Sequence, residues 1–382
     1  MIPYGKQDIH QEDIEAIVQV LRSDFLTQGP KVPLFEQNLC QYTGASYAFA
    51  VNSATSALHI ACLALGLGAG DILWTSTISF VASSNCALYC GAHVDFVDID
   101  PQTYNMSVVA LEQKLIEAQK NNCLPKIVVP VHLCGQSCDM QAIFALSKQY
   151  GFRIIEDASH AIGAKYQGLP VGDCRYSDIT VFSFHPVKII TTAEGGAALT
   201  NDPKLAQKMN LLRSHGITRD ENLMTEKSHG AWFYQQVDLG FNYRMTELQA
   251  ALGISQLTRL DQYVASRHKK VEIYNQAFSS VALQLPYQNN QTYSSYHLYP
   301  ILVNEQTDRA HLFNVLRQAN IGVNVHYIPI HTQPYYQQLG FKWGDFPEAE
   351  NYYKRAISLP LYAQLSDTEQ NYVIEQVCQN IK

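Results

Sequence analysis

The sequence predicts an α/β fold, a mainly parallel sheet between helices, followed by a smaller α+β carboxyl-terminal unit. Three observations carry this. Between residues 48 and 200 short β-rich runs alternate with helical periodicity, the pattern of parallel strands joined by crossover helices. Of 382 residues 47% are hydrophobic and only 16% are charged, so the chain can bury a large core. A long helical pattern then leads into a tail with strands and helices of its own.

In chain order, Tyr47–Val51 reads as a strand and Thr55–Leu65 as the helix after it. Further short apolar runs at Ile72–Thr75, Val94–Val97, Ile127–Val131, Arg153–Ile155, Ile179–Phe182 and Gly196–Thr200 read as strands, with helices near 79–90, 107–120 and 139–150. Apolar residues at Leu248, Ala251, Leu252 and Leu257 extend a helical pattern from Met245 to about Phe278. Beyond it, Leu298–Val303 and Gly322–Tyr327 are strand-like, Asp308–Ala319 is helical, and helices follow Pro347. The Gln-, Asn-, Tyr- and Ser-rich stretch 285–297 lacks periodicity and predicts a loop. The expected division is an amino-terminal segment with a large domain over 1–245, then a connecting helix and small domain over 246–382.

Composition removes several classes of function. With 27 Lys+Arg against 34 Asp+Glu the formal charge is −7 and no basic stripe is visible, which argues against nucleic acid. The amino terminus lacks a basic segment followed by an apolar one, so no secretory signal is expected. The most apolar stretch, Tyr47 to Gly70, is interrupted by Asn52, Ser53, Thr55, Ser56 and His59 and is not a membrane span. A cytoplasmic protein is expected. Nine cysteines without CxxC spacing suggest reduced, packed thiols, and no metal site is expected.

Ligands of parallel sheets bind beyond the carboxyl ends of the strands, and three motifs fall there. Asn52-Ser53-Ala54-Thr55-Ser56 is a strand-to-helix turn of small hydroxylic residues, whose free N–H groups suit a phosphate; alone, it would equally be an ordinary Ser/Thr N-cap. It has no GxxxxGK[ST] pattern, so it is not a nucleoside-triphosphate loop. Ile154-Ile-Glu-Asp157 ends an apolar strand on a carboxylate; alone, Asp157 would be read as a turn cap. Ser183-Phe-His-Pro-Val-Lys188 places a lysine in apolar surroundings before Gly195-Gly196, where burial would lower its pKa as a Schiff-base amine requires; alone, Lys188 would be read as a loop lysine reaching solvent. Phosphate cradle, strand-end acid and buried amine, in that order, are the parts that pyridoxal 5′-phosphate (PLP) needs.

The sequence resembles the DegT/DnrJ/EryC/StrS family, fold-type-I PLP-dependent aminotransferases of nucleotide-linked keto-sugars. The resemblance runs from Leu26-Thr-Gln-Gly29 to Ser358-Leu-Pro360. It is carried by the Ser53-Ala-Thr55 turn, Ser79-Phe80-Val-Ala-Ser83, Glu156-Asp157-Ala-Ser-His160, Phe182 to Gly196, and Gly240-Phe-Asn242-Tyr-Arg-Met-Thr-Glu247. Leu26-Thr-Gln-Gly, Arg213-Ser-His-Gly216 and Val325-His-Tyr327 make it most similar to the branch serving pseudaminic acid biosynthesis.

The resemblance implies that Lys188 holds PLP and acts as general acid/base, and that Asp157 keeps the pyridine nitrogen protonated. His160, where many relatives carry Gln, would contact the ring hydroxyl, and Phe80 would stack on the ring. Ser53, Ala54, Thr55 and Ser183 would hold the phosphate, joined by Asn242 from a neighbouring subunit, so a homodimer with shared sites is implied. Tyr4, Asp24, Phe25, Leu26, Thr27, Asn324, Val325, His326 and Tyr327 would flank the nucleotide-sugar. The implied reaction moves the amino group of L-glutamate to C4 of a UDP-linked 4-keto-6-deoxy-N-acetyl-hexosamine. A sister UDP-sugar 4-aminotransferase, of the bacillosamine or aminoarabinose type, is the alternative. The family's dehydratases carry His in place of the lysine, and a regulatory protein on an inactive fold would be expected to lose Lys188 or Asp157; both residues are present.

Overall fold

The computed structural model describes residues 1–381. Seven strands form the central sheet: β1 (Tyr47–Val51), β2 (Ile72–Ser76), β3 (His93–Val97), β4 (Ile127–Val129), β5 (Arg153–Asp157), β6 (Ile179–Ser183) and β7 (Gly196–Thr200). Their order is β1-β7-β6-β5-β4-β2-β3. All neighbours are parallel except those of β7, which runs antiparallel to both β1 and β6, with Gly196 opposite Val51 and Ser183. The carboxyl ends of β1, β5 and β6 and the beginning of β7 therefore share one edge.

Alternation along the strands feeds two layers. Val181 and Ala198 face a core made with α3 (Ala54–Ala64) and α4 (Ala82–Tyr89), through Ala57, Leu58, Ala61 and Cys86. Phe182, Ala197 and Leu199 face the opposite side and meet Phe35 and Leu39 of α2 (Lys31–Thr43) and Ala250 and Leu257 of α8 (Glu247–Leu257). Period-2 side-chain placement buried on both faces is what makes these strands uniformly apolar. The carboxyl-terminal part has its own core of Tyr299, Ile301, Leu312, Ile357, Leu359, Val373 and Val377 around an antiparallel sheet of Leu283–Gln284, Tyr299–Val303 and Ala356–Leu359.

Two expectations are corrected. The pattern from Met245 to Phe278 is two helices, α8 and α9 (Leu260–Ala277), broken at Thr258 and Arg259. Arg259 leaves helical geometry at ψ 3°, and its Nη2 reaches both carboxylate oxygens of buried Asp13 at 2.7 and 2.6 Å. Helical periodicity does not register a break whose partner lies 246 residues away. Gly322–Tyr327 is not a strand: Gly322 N donates to Ile2 O, and only Asn324 exchanges backbone hydrogen bonds with Ser358. The segment passes between the amino terminus and the small sheet rather than joining the ladder. The stretch 285–297 is loop apart from Thr292–Tyr293.

Among the described residues no helix is long and apolar enough to cross a membrane. All nine cysteines are free, and no cluster of metal-ligating side chains forms among the described residues.

Candidate active site

A cavity of about 450 Å³ opens at the shared strand edge. Asp157, the last residue of β5, is 3% exposed at its floor. Ser83 Oγ donates to Oδ2 at 2.7 Å and Ser159 N donates to Oδ1 at 3.1 Å. Ser79 Oγ lies 2.7 Å from Ser83 Oγ; because the Ser83 proton goes to Asp157, Ser79 is the donor in that pair. Two donors on opposite oxygens hold this carboxylate in one orientation.

Lys188 sits in the connection between β6 and β7. This loop is closed on itself, with Thr192 N donating to Phe184 O, Phe184 N to Gly195 O, and Thr191 Oγ1 to Phe184 O. The lysine surface is partly accessible because it faces the cavity, yet its amine is enclosed by protein. That desolvation pulls the amine from its ordinary 10.5 down to about 8, against an opposing pull from the Asp157 charge. An amine with this pKa is available near neutrality as a nucleophile and as a base.

At the adjacent helix terminus Ser53 caps α3, its Oγ accepting from Ser56 N at 3.1 Å. The N–H groups of Ala54 and Thr55 precede the first intrahelical donors and line the cavity, as does Ser183 at the end of β6. Gly196 brings β7 against this terminus: a Cβ there would lie 2.5 Å from Ala54 N. A phosphate fits such a cradle of uncommitted N–H and O–H donors at the positive end of a helix.

His160 has both ring nitrogens engaged. Nδ1 accepts from Cys134 N at 3.3 Å, so Nε2 carries the hydrogen and donates to the Tyr327 hydroxyl at 3.1 Å. Burial holds the imidazole neutral, well below its ordinary pKa. Phe80 is 59% exposed beside the cavity with its ring 6.3 Å from that of Tyr327, so it is not a core aromatic. A flat ring bound over Asp157 would find an aromatic face there.

The cavity also gathers Tyr4, Asn324, Val325, His326 and Tyr327. His326, however, meets it only as a wall. Its Nδ1 donates to Ser358 Oγ at 2.8 Å and its Nε2 accepts from Asn324 Nδ2 at 3.3 Å, leaving no ring nitrogen for a ligand. Asp24, Phe25, Leu26 and Thr27 do not line this cavity; they form an exposed segment whose Leu26 carbonyl accepts from Glu247 N. Asn242 is exposed and also lies outside the cavity of its own chain, in a segment whose Tyr243 carbonyl accepts from Asn52 N. Three contributors went unassigned in sequence: Ser83, Ser159 and His297. Ser83 lies in the matching block Ser79–Ser83, and that block was its only signal. A cleft of about 440 Å³ beside Lys165, Asp261 and Tyr293 assembles no comparable set.

An open helix terminus with hydroxyls, a fixed carboxylate, an enclosed amine and an uncovered aromatic ring fit PLP group by group. The profile of the DegT/DnrJ/EryC1/StrS aminotransferase family matches residues 7–378. The chain belongs to this family. It is thus a PLP-dependent aminotransferase of fold type I. Spore coat polysaccharide biosynthesis protein SpsC of Bacillus subtilis (strain 168) is 39% identical over 387 residues, covering 100% of this chain and 97% of that protein. A UDP-4-amino-4,6-dideoxy-N-acetyl-β-L-altrosamine transaminase of Campylobacter jejuni is 38% identical, covering 98% of this chain and 96% of that one. Among solved structures, Helicobacter pylori PseC, an aminotransferase involved in the biosynthesis of pseudaminic acid, superposes with TM-score 0.91 at 33% identity, covering 100% of this chain and 99% of that one.

Proposed function

We propose that this aminotransferase moves the amino group of L-glutamate to C4 of a UDP-linked 4-keto-6-deoxy-N-acetyl-hexosamine (UDP-2-acetamido-2,6-dideoxy-β-L-arabino-hex-4-ulose), in pseudaminic acid biosynthesis. The observation that carries the chemistry is the convergence of the Lys188 amine, lowered to about 8, and the Asp157 carboxylate beside the open terminus of α3. The likeness to the Campylobacter transaminase along almost the whole chain supports the acceptor.

Bound PLP supplies an aldehyde that exchanges the amino group and a ring that takes up the electron pair released at the reacting carbon. The protein's part is positioning and proton movement. Ala54 and Thr55 N–H, the Thr55 hydroxyl and Ser183 hold the phosphate, and Ser53 shapes that terminus as its cap. Asp157 holds a proton on the pyridine nitrogen, fixed in place by Ser83 and Ser159. Phe80 covers the ring. Lys188 holds the resting cofactor, then takes the proton from the Cα of glutamate and in the second half returns one to C4 of the sugar. His160, with Nδ1 accepting from Cys134 N and Nε2–H turned to Tyr327, holds Tyr327 in place at the cavity wall and has no free ring nitrogen for the ring hydroxyl. Tyr4, Asn324 and Val325, at the mouth, take the sugar.

We infer a homodimer in which Asn242 completes the neighbour's phosphate site. The excursion that precedes it supports this, because Trp232 (73% exposed) and Leu239 (75%) leave apolar surface open on a single chain. The exposed Asp24–Thr27 segment would then reach nucleotide-sugar from the same interface. Nine free cysteines support a reducing compartment such as the cytoplasm.

The test is spectroscopic. L-Glutamate should bleach the absorption band of the PLP-loaded protein, and the UDP-4-keto sugar should restore it. If glutamate bleaches the band and only a bacillosamine- or aminoarabinose-type precursor restores it, the sister reading holds. A band that never forms refutes the assignment of Lys188 and Asp157.

A further inference from the structure

Behind one wall of the cavity lies a buried cation without an acid to answer it. Arg267, on α9, is 2% exposed. Its Nη1 donates to the carbonyl oxygens of Tyr296 (3.0 Å), His297 (3.2 Å) and Leu361 (2.9 Å), and its Nε has no partner. Burial lowers its pKa to about 10, so it remains charged at neutral pH. A buried charge of this kind is costly unless an opposite charge comes close.

On the cavity side of those carbonyls stands His297, 4% exposed. Its Nδ1 is sealed from solvent and unpartnered, which leaves Nε2 as the nitrogen that meets the cavity. An unmet acceptor is tolerated more readily than an unmet donor, so the hydrogen belongs on Nε2. The ring of His160 is 4.4 Å away. Because Tyr327 already accepts from His160 Nε2, its own phenolic proton is free to be donated into the cavity. The acids on the cavity wall are Asp157, held by Ser83 and Ser159, and Glu194 at the exposed rim. This wall therefore combines N–H and O–H donors with a positive charge behind them and no carboxylate of its own.

We propose that His297 and Tyr327, backed by Arg267, form the subsite for the α-carboxylate of the amino donor. A carboxylate is the group such a wall binds best, whereas the reacting end of the acceptor sugar is uncharged and leaves Arg267 unanswered. The proposal rests on the aminotransferase reading of the cavity and adds to it the residues that recognise the donor.

The test uses the PLP-loaded protein with His297→Leu, Tyr327→Phe and His297→Gln. Each half-reaction is followed by absorbance, and binding of glutarate, a dicarboxylate without the amine, is followed by calorimetry. The half-saturating L-glutamate concentration should rise roughly tenfold in His297→Leu and Tyr327→Phe, the size expected for one hydrogen bond to a charged group. Glutarate affinity should fall in proportion, while half-saturation by the UDP-4-keto sugar changes less than about twofold. His297→Gln, which keeps an N–H donor, should recover glutarate binding. Unchanged glutarate affinity in both deletion variants, or a rise confined to the sugar, overturns the proposal. So does a failure of His297→Gln to recover binding. Wild-type protein that binds glutarate in this pattern yet is never restored by a keto-sugar would refute the acceptor assignment and leave the subsite standing.

Discussion

Ser83 Oγ donates a 2.7 Å hydrogen bond to Asp157 Oδ2, tying the first turn of α4 to the carboxyl end of β5 across 74 residues of sequence. The bond is buried and charge-assisted, and it aims the carboxylate that PLP would meet. Ser83→Ala should therefore weaken PLP binding by roughly tenfold, the scale of one hydrogen bond to a charged group. Fluorescence titration of the apoprotein measures it, and Ser83→Thr should lose less.

The Lys188 amine titrates near 8 because burial disfavours its charge. Capture of PLP by the apoprotein should accelerate through pH 8 and level off above it, without waiting for the 10.5 of a free lysine. Between those two values the unfolded chain binds more protons than the folded one, so this group makes the apoprotein more stable as pH rises across that window. Asp157→Asn removes the charge that holds the amine up, so the midpoint should move below 8. Lys188→Ala should abolish turnover. A capture midpoint near 10 in the wild type would show an exposed lysine.

Gly196 lets β7 approach the terminus of α3 so closely that a methyl group would lie 2.5 Å from Ala54 N. Gly196→Ala should push this terminus away and lower retention of PLP on gel filtration, with a stability loss of about 1–3 kcal/mol from overpacking. Denaturant unfolding of the apoprotein measures the second effect separately.

Asn242 lies outside the cavity of its own chain. If it serves a neighbour, mixing Lys188→Ala with Asn242→Ala protein under conditions of subunit exchange should create hybrid dimers with one intact site, and activity should reappear. Mixtures that stay as inactive as the separate variants would assign Asn242 to a structural role.

The sequence by itself determined the sheet, the family and the chemistry at the strand ends. Alternation along β1 to β7 is local, each strand carrying its own record of two buried faces, and Asp157, Ser183 and Lys188 fall at fixed distances from those strands. Only the tertiary structure decided the rest. The helix from Met245 breaks because Arg259 turns to Asp13, and no periodicity within one segment reports a partner 246 residues away. Gly322–Tyr327 has a strand's composition, yet its hydrogen-bonding partners are Ile2 and Ser358, so it serves as a wall of the site rather than a ladder strand. His326 has the residue type of a ligand contact, yet Ser358 and Asn324 engage both of its ring nitrogens. His297, within a stretch read as loop, becomes a site residue through its place on the cavity wall and its unpartnered Nδ1. Residue type and spacing reveal groups whose chemistry is intrinsic, such as an amine or a strand-end acid. The orientation of a serine, the tautomer of a histidine and the charge behind a wall depend on contacts between distant segments, which exist only once the chain has folded.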